Sequence, residues 1–93
     1  MTAKLPDTES VFSWQDAVAI DVSSANVTAN AASGFSNGFI RGIYVGTTGD
    51  VKIQTNNGND VVFPSVPAGV VLPIIAKVVY NTGTTASGLV GGV

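Results

Sequence analysis

The chain has 93 residues, 45% of them hydrophobic and only 11% charged, with a formal net charge of -2 and neither cysteine nor histidine. That length supports one domain with a marginal core of its own, and a charged fraction less than half the usual quarter points to self-association. The missing residue types exclude disulfides, thiolate chemistry and the commonest metal ligand and general base. Lys4, Arg41, Lys52 and Lys77 are too scattered in an acidic chain to form a nucleic-acid surface.

Residues 1–15 show no sustained period and read as an extended N-terminal arm. Phe12 and Trp14 are spaced by two, so an extended arm presents both on one side. They either anchor on a neighbouring surface or, for Trp14, cap this domain's own core. No apolar run long enough for a signal sequence follows the first residues. The longest apolar stretch, 66–79, is broken by Pro67, Gly69, Pro73 and Lys77 and falls short of the ~20 residues of a membrane helix, so a soluble chain is expected.

Residues 17–22 alternate weakly and form a first strand, followed over 23–38 by a Ser, Ala, Asn and Gly loop with room for one short helical turn. The β-branched and aromatic residues of 39–45 predict a strand. The turn residues 46–50 and the clean alternation of 51–55 then suggest a hairpin with Val51 and Ile53 inward. A second turn, Asn56-Asn57-Gly58-Asn59-Asp60, leads into Val61-Val62-Phe63, which bends at Pro64 and Pro67. Residues 70–73 approach the sheet, 74–80 make the longest apolar strand, and a turn at 81–86 precedes a short closing strand at Leu89 and Val90.

Short strands at roughly ten-residue intervals, parted by Gly, Asn and Pro turns, define the fold class. It is all-β: a small antiparallel β-sandwich, jelly-roll-like, over residues 16–93, with the arm at 1–15. Lys77 pointing to solvent would take its pleat-mates Ile75 and Val79 with it, and such a face calls for a cover. Arg41 is placed to pair across strands or across a subunit boundary. Phe12, Trp14, Arg41, Ile75 and Val79 are therefore the candidate interface residues.

Asp16, Asp21, Asp50 and Asp60 are the groups from which a carboxylate pair or cation site would be built. Each has a plainer role in a turn, bonding its own backbone, so no catalytic residue, metal site or cofactor is assigned. The glycines at 42, 46 and 49 do not make a phosphate loop, since no helix follows them.

Ile40-Arg41-Gly42-Ile43-Tyr44-Val45-Gly46, Gly49-Asp50-Val51, Val62-Phe63-Pro64-Ser65-Val66-Pro67-Ala68-Gly69, Leu72-Pro73 and Thr82-Gly83-Thr84-Thr85-Ala86-Ser87-Gly88 together resemble the head spike base proteins of small tailed phages and gene transfer agents. The likeness covers the C-terminal half to two thirds of the chain; residues 1–36 carry none of it clearly. It implies a non-enzymatic structural protein of the virion, made in the host cytoplasm and placed on the capsid surface. There copies would form a ring, a pentamer first and a trimer next, bound to the capsid protein and holding a fibre or spike. A second reading is a lone carbohydrate-binding or adhesive β-sandwich, with Trp14, Tyr44 and Tyr80 as its only natural aromatic platforms. An enzyme would have to work with Asp, Tyr, Lys or Ser alone.

Overall fold

A computed structural model of the chain describes Trp14 and residues 16–93; Phe12 lies outside the described residues. Among the described residues eight strands form, in chain order: β1 (Ala17–Ile20), β2 (Val27–Thr28), β3 (Ile43–Tyr44), β4 (Gly49–Thr55), β5 (Asp60–Val66), β6 (Val71–Leu72), β7 (Ala76–Val79) and β8 (Leu89–Gly92). They make two four-stranded sheets, ordered β1-β8-β3-β6 and β2-β7-β4-β5. Every pairing is antiparallel, and β1 pairs β8, β2 pairs β7, β3 pairs β6 and β4 pairs β5. Strand n thus always meets strand 9 − n, the pattern of one long hairpin rolled over on itself, with the additional pairs β3·β8 and β4·β7 sealing the roll. This is the eight-stranded jelly-roll wiring, and the expected all-β sandwich is what forms.

The core between the sheets is wholly apolar. Phe35, Ile40, Ile43, Val45, Val51, Ile53 and Val79 are its largest fully buried side chains, and among the described residues no polar or charged side chain is buried. Inward positions follow the strand period at Val51 and Ile53, as expected from their alternation. Phe35 reaches the core because a 3-10 turn at Ala31–Ser33 is pinned at both ends. The Asn30 side chain accepts the Ser33 N–H at 2.9 Å, the Ser33 hydroxyl accepts the Asn30 N–H at 3.1 Å, and Gly34 closes the turn at φ 96°.

Two sequence expectations are corrected. The segments 39–45 and 51–55 do not form a hairpin: β3 belongs to one sheet and β4 to the other. The link between them crosses the edge of the sandwich, where Gly46 meets the backbone of Gly88 and Gly49 that of Ala86 so closely that a Cβ on either would come within 2.6 Å or less of main-chain atoms. The strand over 74–80 is also shorter and does not keep its parity. Gln54 faces Val78 but Thr55 faces Ala76, which leaves Lys77 as the extra residue of a bulge. Ala76 and Val79, three apart, are therefore both buried while Lys77 stays exposed.

Candidate functional site

The outer faces of the two sheets differ in chemistry. On the first sheet, the residues flanking the inward Ile43 and Leu89 point outward. Tyr44 pairs with Val90 on one side and Val71 on the other, and Val90 pairs with Ala19, so a single apolar row crosses all four strands. Tyr44 is 38% exposed, Ala19 is exposed, and Val71 and Val90 are half-buried. The adjoining row consists of Gly92 and Gly42, joined by the Gly92 N–H donating to the Gly42 carbonyl at 3.0 Å. Trp14 lies over both glycines: a Cβ on Gly92 would fall inside the indole ring, and one on Gly42 would come within 3.1 Å of it. These two rows carry no charge.

Glycine at 91 and 92 in a central strand is uncommon, because it weakens a strand unless something approaches closely. Here something does so on both sides. A Cβ on Gly91 would come within 2.6 Å of the Phe35 ring on the core side, while Gly92 takes Trp14 on the outside. Among the described residues, the buried Trp14 indole N–H has no hydrogen-bond partner.

The second sheet's outer face is polar and internally tied. Lys52, Gln54 and Asp60 alternate with the inward residues of β4 and β5. Tyr80 donates its hydroxyl to the Asp60 carboxylate at 2.7 Å, and the Lys52 ammonium sits 5.2 Å from the Tyr80 ring centroid. The hydrogen bond from the phenol holds Tyr80 above the ordinary tyrosine pKa, since losing that proton would set two negative oxygens together. Val62 on β5 is 46% exposed beside this group.

The other acidic side chains serve the backbone. Asp16 accepts the Ala17 N–H and Asp21 the Ser23 N–H, at 2.8 and 2.9 Å, and the bonds from Ser23 hold the Asp21 carboxyl below its usual value. Asp50 reaches across strands instead of bonding its own turn. Its carboxylate accepts the N–H of Ser65 at 2.8 Å, where a register shift sets Pro64 and Ser65 against one residue of β4 and Ser65 takes φ 52°. Among the described residues, no three acidic or metal-ligating side chains come together. A cleft of about 210 Å³ opens at the rim near Asp21, Asn81, Thr84 and Ser87. Much of its polarity is already used: the Asn81 amide donates to the Val22 carbonyl, its N–H to the Asn26 side chain, and the Thr84 hydroxyl accepts the Lys52 N–H.

Of the interface residues expected from sequence, Trp14 sits on its own domain, covering the outer face of a sheet and not the core. Val79 is 0% exposed and faces the core, because the bulge at Lys77 reverses its parity. Ile75 is 45% exposed but lies at the end of the sandwich, its carbonyl accepting the Asn56 N–H, away from the apolar row. Arg41 is half-buried beside β8, with its N–H on the Gly92 carbonyl at 3.0 Å. Phe12 lies outside the described residues. The apolar row itself was missed; the alternation of 17–20 and the paired glycines at 91 and 92 were its only traces.

The connections next to several segments that carry the resemblance are tied to one another. Thr47 N–H bonds the Ser87 carbonyl, Asp50 N–H the Thr85 hydroxyl, and Ala68 N–H the Thr48 hydroxyl, at 2.8 to 3.0 Å. These bonds join the connections at 46–50, 67–69 and 81–88. No protein-family model matches the chain, and no curated protein or solved structure matches it either.

Proposed function

We propose that the chain is a structural, non-enzymatic protein of a tailed-phage virion, a homo-oligomeric base on the capsid exterior that anchors a fibre or spike. The observation that carries this reading is the uncharged outer face of the first sheet. A domain working alone in water keeps charges on its solvent faces, whereas a self-assembling one leaves apolar area to bury. Jelly-roll wiring supports it by analogy, since capsid domains share that architecture, though so do lectins. The resemblance supports it through its turn and strand segments, which are architectural and carry no chemistry of their own. Light scattering on the purified protein tests it: the expected result is a closed ring, a pentamer or a trimer, and a concentration-independent monomer would defeat self-assembly.

The second reading, a carbohydrate-binding or adhesive module, draws on the polar rim cleft. Against it, the Tyr80 ring already carries Lys52 on it and its hydroxyl is engaged by Asp60, which leaves a sugar little to stack on. A monomer whose Asp21 or Thr84 amide resonances shift with added sugar would favour that module instead.

A further inference from the structure

The chain contains two Asn-Gly pairs, Asn37-Gly38 and Asn57-Gly58, and both stand in turns of the same make. The Gly38 N–H donates to the Phe35 carbonyl and the Gly58 N–H to the Thr55 carbonyl, each at 2.9 Å, and the glycines take φ 83° and 90°. All four residues are exposed, and among the described residues a Cβ on either glycine would meet nothing within 4 Å. The anchoring differs. Asn37-Gly38 is held between Phe35 and Ile40, both 0% exposed, with Ile40 bonded in both directions to Ala76. Asn57-Gly58 crosses the tip of the β4–β5 hairpin between half-buried Thr55 and exposed Asn59 and Asp60, and the first buried residues on either side are Ile53 and Val66.

We propose that Asn57 is a site of spontaneous deamidation in the folded protein, carried out by the Gly58 nitrogen, while Asn37 is held back by its anchors. The step needs the Gly58 nitrogen free of its bond to Thr55 and the Asn57 carboxamide turned onto it. Once solvent base has taken the Gly58 amide proton, the nitrogen lone pair attacks Cγ of Asn57. The bond from Cγ to the Gly58 nitrogen forms, the Cγ–Nδ2 bond breaks, and Nδ2 leaves as ammonia with a proton from water. Water then opens the five-membered succinimide at one of its two carbonyls and leaves aspartate or isoaspartate, so the net change is water in and ammonia out. Glycine suits the attacking position because it has no side chain to crowd the nitrogen. Freeing Gly58 breaks one exposed hydrogen bond at a loop tip, whereas freeing Gly38 pulls on Phe35 and Ile40, and local opening is easiest where few buried contacts oppose it. The product adds a negative charge to a chain of formal net charge -2 and, as isoaspartate, one main-chain carbon to the turn before Asp60. The inference does not use the virion reading.

The unaltered full-length protein tests this. Tryptic cleavage after Arg41, Lys52 and Lys77 puts Asn37 and Asn57 in separate peptides, whose mass spectra follow each conversion over weeks in mildly alkaline buffer. In the native protein Asn57 is expected to convert at least about ten times faster than Asn37, and in guanidinium chloride, where no anchor remains, the two rates should converge. Equal rates in the native protein, or an Asn57 that converts only when unfolded, would overturn the proposal. So would fragment spectra that identify the converted residue as Asn56 or Asn59.

Discussion

The two outer faces of this sandwich are built from strands of the same antiparallel kind, yet they meet water in opposite ways. The first sheet is smooth, small-residued and uncharged, with Trp14 lying on two glycines. The second holds its long side chains to one another: Lys52 over Tyr80, and Tyr80 on Asp60. One face is therefore sensitive to added atoms and the other to removed charges. Among the described residues, Lys52 and Asp60 are tied into the second face, while the two outward rows of the first carry no charge.

That contrast can be broken from the middle outward. Phe35→Ala removes the ring that Gly91 packs against and should cost about 3–5 kcal/mol in urea unfolding, loosening both sheets at once. Gly92→Ala adds one methyl where the indole lies and should cost about 1–3 kcal/mol, with Trp14 emission moving to the red as the ring is displaced; unmoved emission would mean that Trp14 does not sit there. Asp50→Ala strips the acceptor from Ser65 at its positive φ and should cost about 1 kcal/mol. Lys52→Ala, on the polar face, should cost less than about 1 kcal/mol and leave Trp14 emission alone.

The smallest effect is a titration. Tyr80 is held above the ordinary tyrosine value by Asp60. The stability this bond contributes is present below the unfolded tyrosine pKa and is lost as pH rises through the folded one. In a Tyr44→Phe background, phenolate absorbance should show Asp60→Asn bringing Tyr80 down toward the ordinary value of about 10. No movement would dissolve the Tyr80–Asp60 tie and, with it, much of what distinguishes the second face.

Where local chemistry decided the outcome, the sequence was readable. The alternation of Val51 and Ile53 predicts β4 and its inward residues, and the turn residues from Asn56 mark where it ends and the next strand begins. The expected bend at Pro64 was only half right: β5 continues to Val66, since an edge strand tolerates proline and Asp50 caps the bulge. Long-range choices were not readable. Nothing near residues 46–48 signals that the chain changes sheets there; the reason lies forty residues away, in the backbone at 86–88. The parity of Val79 depends on a bulge whose partner is Thr55. Gly91 and Gly92 look like a frayed end and are instead the middle of a sheet, because their meaning comes from Phe35 and Trp14.

The rule that strand n meets strand 9 − n also imposes an order in time. As the chain leaves the ribosome, β4 and β5 can zip together at once, but β7 and β8 occupy interior places in their sheets and are made after the other described strands. Until residues 76–92 emerge, β1 and β2 have no partner and β3 is flanked only by β6. Until β8 is available the chain therefore carries open strand edges and an unclosed core, and folding must wait for it. A chain truncated before Leu89 should be one that proteases cut freely, and a chain that keeps β8 one that they do not.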